Sequence, residues 1–247
     1  MVKPHGKRLA GADPARDRAT LLRAMLVALL LAVLIQTPVA AGKSKVVTKG
    51  PSSSGGVALT FDDGWGITSC ERITTTLREM GASATFFING THLRADPKRW
   101  RKILAGFPVA NHTRSHPWLT RLPGYKIKGQ IRTNQWIHHS ALGRPMLRLL
   151  RPPYGAYNDR VRRVARKLRY RKIVLWSQSA ADTSSRATVS SIIRHTTGGA
   201  PGSIILMHCG PSVTADALPA IIRHYQRRGI RLIGLDEMFG YSTTKYR

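Results

Sequence analysis

"GVALTFDDG", residues 56–64, is a short apolar run that stops at two adjacent carboxylates and a glycine. Such a run reads as a buried strand, with Asp62 and Asp63 at its carboxyl end. Similar runs recur at "ATFFI" (84–88), "MLRLL" (146–150), "KIVLW" (172–176), "SIILM" (203–207) and "RLIGL" (231–235). Between them lie "SCERITTTLREMG" (69–81), "KIKGQIRTNQWIHHSALG" (126–143), "NDRVRRVARKL" (158–168) and "DALPAIIRHYQRRG" (216–229), with apolar residues near helical spacing. Strand and helix in alternation predict an α/β domain, a parallel sheet or barrel covered by helices. A βα barrel of fewer than eight strands suits the length, and no glycine-rich dinucleotide fingerprint follows the first strand.

The first 41 residues differ in character. Six Lys and Arg residues precede an apolar run, Ala24 to Ile35, and Val39, Ala40 and Ala41 follow Pro38. This is the layout of a secretory signal peptide cleaved after Ala41, or of an uncleaved anchor, and either places the remainder outside the cytoplasm. The run falls short of the roughly 20 residues a membrane-spanning helix needs. Residues 42–56, "GKSKVVTKGPSSSGG", read as a flexible linker, and residues 57–247 as the folded domain.

The whole chain of 247 residues carries a formal charge of +28, and without residues 1–41 it keeps 34 basic against 10 acidic residues, or +24. In an exported chain that charge suits non-specific adhesion to an anionic cell envelope. The basic residues are dispersed as solvated helix faces, which argues against a specific nucleic-acid groove. Cys70 and Cys209 suggest one disulfide, or two buried thiols.

The reactive residues gather past strand ends. Asp62 and Asp63 follow "VALTF", His112 and His116 follow "PVAN", Arg151 follows "MLRLL", and His208 follows Met207. In a βα barrel these ends meet on one face. Within "NHTRSHP" (111–117) the two histidines stand four apart, so on a helical turn both project to one side. With one carboxylate they make a two-His, one-carboxylate set, the pattern of a hydrolytic zinc centre, although the spacing alone also fits a surface role. The other aspartate, on a diverging strand position, is left to act as a base on water. "RPPYG" (151–155) is a stiff loop that leaves Arg151 to pair with a carboxylate and the Tyr154 N–H to face a ligand. With His208 as proton donor, these are the parts of a metal-assisted hydrolysis of an amide or ester. His138 and His139 read as a solvated helix face.

In this order, "TFDDG", "NHTRSHP", "RPPYG", "LWSQSAADT" and "LMH" resemble the polysaccharide deacetylases of carbohydrate esterase family 4, the NodB-homology domain. The resemblance covers about residues 57 to 240. It implies a distorted (β/α) barrel of about seven strands. It also implies that Asp62 is the general base, that Asp63, His112 and His116 bind Zn2+ or another divalent ion such as Co2+, and that Arg151 orients Asp62. The Tyr154 N–H would stabilise the oxyanion and His208 would be the general acid. Trp176 and Leu206 would line the acetyl pocket, or belong to the core.

One motif departs from the family's Asp-x-x-Asp-Trp: here it reads Ser179-Ala180-Ala181-Asp182-Thr183, so the acid thought to tune the catalytic histidine is absent. Asp182 either substitutes for it or caps the next helix. The implied activity is secreted, metal-dependent removal of N-acetyl groups from an acetylated polysaccharide such as peptidoglycan or chitin, by a monomer. The alternatives are an O-acetyl xylan esterase and a non-catalytic wall-glycan binder.

Overall fold

The computed structural model describes residues 42–246, which fall within one compact unit. The signal sequence assigned to residues 1–41 lies outside the described residues. The strands are β1 (Lys45–Val47), β2 (Gly56–Asp63), β3 (Ala84–Ile88), β4 (Leu149–Leu150), β5 (Lys172–Val174), β6 (Gln178–Ser179), β7 (Ile204–His208) and β8 (Arg231–Leu232). The principal helices are α1 (Ile67–Glu79), α2 (Gly90–Ala95), α3 (Pro97–Ile103), α4 (Gly124–Leu142), α5 (Asp159–Lys167), α6 (Val189–Thr196) and α7 (Ser212–Arg227). Among the described residues no helix is long and apolar enough to cross a membrane.

Every pairing between these strands is parallel, in two ladders ordered β1-β5-β4 and β3-β2-β7-β6, with β8 beside the start of β2. Single parallel bridges, Phe86 to Val109 and Asn111 to Leu150, join the ladders. The result is the expected distorted α/β barrel, but its strands run as two stitched ladders rather than one closed ring. Alternation along β2 builds two cores. Val57, Leu59 and Phe61 face the helices with Ile73, Leu77 and Leu218, while Ala58 faces inward with Phe87, Val174 and Ile204. Asp62 continues the inward row.

Residues 42–56 are not a flexible linker. Val46 and Val47 pair with β5, the buried Ser44 hydroxyl donates to the Tyr170 carbonyl at 2.5 Å, and Gly50 N–H donates to Gly202 at 2.8 Å. Serine and glycine on either side hide a three-residue strand whose β-branched pair fits a pleated surface. Two further helical segments are α2–α3, which was not picked out in the sequence, and α6, the helix expected after Asp182, which begins only at Val189. In the first, Asp96 accepts from Arg99 N–H as the cap of α3, with Pro97 at its first position. In the second, Thr188 and Ser191 form a reciprocal capping pair.

Cys70 and Cys209 are bridged, with Cα atoms 4.9 Å apart, tying α1 to the residue after β7. The bridge closes a loop with a sequence separation of 139. Replacing both cysteines by serine is expected to lower unfolding free energy by up to about 5 kcal/mol in the chain-entropy account, read from denaturant melts.

His138 corrects the expectation of a solvated helix face: it is fully buried while His139 is exposed. Its Nε2 lies 2.8 Å from the Ile88 carbonyl, at the end of β3. Burial pushes its pKa down to about 4 from 6.5, so it folds as the neutral imidazole that donates there. A depressed folded pKa means that the unfolded chain takes up the proton first. The associated stability is complete above about pH 6.5 and is lost as pH falls towards 4, by about 3 kcal/mol in all. Denaturant melts between pH 7 and pH 4 should show this loss in the wild type and not in His138→Gln.

Candidate active site

The site grows from the end of β2. Asp62 pairs in register with His208 of β7 and points inward, where Arg151 Nη1 donates to its Oδ1 at 2.6 Å. An extended chain would send Asp63 to the opposite face. Instead Asp63 takes φ 73° and Gly64 φ 101°, and the left-handed turn swings the second carboxylate back into the site. Asn89 Nδ2 donates to Asp63 Oδ1 at 2.9 Å, and the same oxygen lies 3.3 Å from both His112 Nε2 and His116 Nε2. Asn89, absent from the sequence reading, directly follows β3 at the same sheet edge.

The histidines do not sit on a helical turn. Residues 112–116 form a loop in which Thr113 (φ 69°) and His116 (φ 58°) are left-handed. Buried Asn111 shapes it: its Oδ1 accepts from Thr113 N–H at 2.9 Å, and Thr113 Oγ1 accepts from His116 N–H at 3.1 Å. The spacing therefore works through two local side-chain turns. His112 Nδ1 lies 2.7 Å from the Arg151 carbonyl, to which it donates, and this contact turns the ring so that Nε2 faces Asp63.

One ligand atom from each of Asp63, His112 and His116 lies within 4.8 Å of the others. One anionic oxygen and two imidazole nitrogens suit a divalent cation. Burial works against the charged form of Asp63. The hydrogen bond from His112, the charges of His112 and His116 and the Asn89 amide outweigh it and hold the carboxyl well below its usual range. Burial, reinforced by the neighbouring His112 charge, lowers His116 and favours its neutral, ligating form.

Arg151 is wholly buried. Besides Asp62, its guanidinium donates to Thr60 Oγ1 (2.9 Å) and to the Val174 and Leu175 carbonyls (both 3.1 Å), and it lies over the Phe87 ring at 4.2 Å. All of these partners come from strands or strand ends that meet around it. After Arg151 and its two prolines, Tyr154 is left-handed (φ 60°), and its exposed ring stacks on Trp118 at 4.2 Å and edges His116 at 4.6 Å. Trp65, also exposed, lies 5.7 Å from the His208 ring on the other side. A Cβ on Gly210 would come within 2.0 Å of that indole, so any larger residue there would push Trp65 out of its place. The site is thus open at His116 and His208 and walled by aromatic side chains. Trp176 packs against Gly155 and the Arg151 guanidinium, and Leu206 is buried on β7, two residues before His208 and on the same face.

Asp182 does not cap a helix. Its Oδ1 lies 2.8 Å from His208 Nδ1, while Oδ2 accepts from His208 N–H and Thr214 Oγ1, each at 2.7 Å. Although Ser179 carries no carboxylate, Asp182, at the second acid of the Asp-x-x-Asp pattern, is buried and holds His208 both at its ring and at its backbone N–H. Burial works against the protonated ring, but the Asp182 hydrogen bond and charge, with Asp62 and Asp63 behind them, raise the His208 pKa.

The profile of the polysaccharide deacetylase family matches residues 49–173. The chain is 29% identical over 197 residues to a peptidoglycan-N-acetylglucosamine deacetylase of Bacillus cereus, covering 77% of this chain and 91% of that one. It is 33% identical over 170 residues to a chitooligosaccharide deacetylase of Azorhizobium caulinodans, covering 68% and 79%. The crystal structure of the Bc1960 peptidoglycan N-acetylglucosamine deacetylase superposes with a TM-score of 0.75 at 30% identity, covering 83% of this chain and 96% of that one. The fold and site therefore define a polysaccharide deacetylase, and the chain belongs to that family.

Asp182→Asn keeps the side-chain shape and removes the charge that raises His208. The basic limb of the kcat–pH profile is expected to move to lower pH in that variant, because the imidazole then loses its proton earlier. An unmoved limb would separate the rate-controlling acid from His208.

Proposed function

We propose that this chain is an exported, metal-dependent deacetylase that hydrolyses the N-acetyl amides of amino-sugar polymers of the peptidoglycan or chitin type and releases acetate. The observation that carries the reading is the division of labour between adjacent aspartates. Left-handed Asp63 faces two imidazoles, and strand-borne Asp62 faces Arg151. Export rests on the basic and apolar leader in residues 1–41. The peptidoglycan and chitooligosaccharide deacetylases to which the chain is similar, together with the acid-histidine-histidine cluster, support the substrate class and the metal.

Asp63, His112 and His116 would hold the cation, and zinc suits their donor set. When bound, a divalent ion there supplies Lewis acidity to a carbonyl and a water. Asp62, oriented by the Arg151 pair, takes the proton from the attacking water. The Tyr154 N–H, presented by its left-handed backbone, receives the negative charge that develops on the acetyl oxygen. Opposite Asp62, His208 delivers its proton to the departing amine nitrogen, with Asp182 keeping the ring charged and oriented. Trp176 and Leu206 supply apolar surface for the acetyl methyl group, and Trp65 and Trp118 with Tyr154 offer faces for the sugar rings on either side.

Acetate release from N-acetylglucosamine oligomers is the test. We expect release by the purified protein, loss on chelation, recovery with zinc or cobalt, and a fall of at least about a hundredfold in kcat in Asp62→Asn. Release only from O-acetylated xylan would move the reading to an esterase. Silence on every acetylated glycan despite bound metal would leave a glycan-binding protein.

A further inference from the structure

A cleft of about 710 Å³ lies at the other end of the barrel. Its walls are the outer stripe of α4, the segment 145–148 that feeds β4, and the segment 167–169 that feeds β5. It therefore opens at the amino ends of the strands, whereas Asp62, Arg151 and His208 stand at their carboxyl ends. Arg132, Trp136 and His139, at positions i, i+4 and i+7 of α4, form one solvent-facing row. Arg148, Lys167 and Arg169 face them, and no carboxylate lines the cleft. Trp136 is 66% exposed.

Two features mark this as a built site. Arg148 is held rather than free, donating to Gln135 Oε1 at 2.6 Å and lying over the Tyr170 ring at 5.5 Å. Arg169 is left-handed, φ 65°, where α5 ends. The end of α4 uses Gly143 for the same conformation, as helix ends commonly do. Of the six left-handed non-glycine residues among the described ones, Asp63, Thr113, His116 and Tyr154 build the catalytic site and Ala181 adjoins Asp182. Arg169 is the sixth. Strain of this kind concentrates where a side chain has a task.

We propose that this cleft binds a carboxylate-bearing glycan strand, with Trp136 stacking on a sugar ring while the surrounding cations meet carboxylates on neighbouring residues. The proposal rests on the envelope-glycan reading of the catalytic site. It assigns the opposite end of the barrel a holding role, one that keeps the enzyme on an acidic polymer while the catalytic face works on an acetylated strand.

Trp136→Ala leaves the net charge unchanged, so it separates a built site from general attraction by a basic protein. Binding of the full chain to polygalacturonate, which carries no acetamide, would be measured at about 150 mM salt, where the screening length is about 8 Å. The expected result is a loss of about tenfold or more in affinity in Trp136→Ala and in Arg132→Glu/Arg169→Glu, as for loss of a stacked, charge-flanked anchor. Neutral dextran should not bind, and acetate release from short neutral oligomers should be unchanged in Trp136→Ala. Affinity within about twofold of wild type in both variants would overturn the proposal. So would Trp136-dependent binding that prefers polyphosphate or DNA to polygalacturonate. Because binding is read without turnover, a failed cleft and a failed deacetylase give different results.

Discussion

The buried pair between Arg151 and Asp62 is the constraint around which the barrel is arranged. A guanidinium with no exposed surface must place every donor on an acceptor, since an unmatched charge in the interior is strongly unfavourable. Its acceptors are Thr60 and Asp62 on β2 and two carbonyls at the end of β5. Its own carbonyl accepts from His112. One side chain thus sets the distance between the two ladders, the direction of Asp62 and the tautomer of His112. Buried pairs are weak arguments for net stability, yet removing one partner typically costs about 3–5 kcal/mol. Arg151 is therefore both a structural keystone and the orienting group of the site.

The site is also where the backbone departs from its comfortable regions. Asp63, Thr113, His116 and Tyr154 take left-handed angles that disfavour side chains bearing a Cβ, at about 1 kcal/mol or more each. In return, two consecutive acids reach different partners, and two histidines four apart converge without a helix. The strain is held locally by Asn111, Thr113 and Asn89, short polar side chains that satisfy the turns they create. Rigidity of this kind lets a site built largely on loops keep the accuracy of one built on strands.

Much of this was legible in the sequence, for definite physical reasons. β2, β3 and β7 carry unbroken apolar runs because both of their faces are buried, and a run of that kind cannot be hidden. The ladder around β4 and β5 was less visible, since two or three residues suffice for each pairing, and β1 lay inside a stretch whose serines and glycines resembled a linker. Asp62, Asp63, His112, His116, Arg151 and His208 were identifiable from type and order alone. Their conformations were not, because left-handed φ at Asp63 or His116 leaves no mark in composition. Neither did the sequence reveal that His138 is buried: its partner, the Ile88 carbonyl, lies fifty positions away.

Acid placement connects the site with the rest of the surface. After residue 41 the chain has 10 acidic residues against 34 basic ones, and Asp62, Asp63 and Asp182 are all buried at the same end of the barrel. Asp159, Asp216, Glu71 and Glu237 are each matched to a surface Lys or Arg. Negative charge is thereby concentrated in the pocket that suits a cation, and a field falling off over about 8–10 Å at physiological salt leaves the exterior dominated by positive charge. The placement of Asp182 respects this economy. From 182 a carboxylate reaches both the ring and the backbone of His208 and is tied down by Thr214, so one acid performs the orienting and charge-raising roles in a chain with few acids to place.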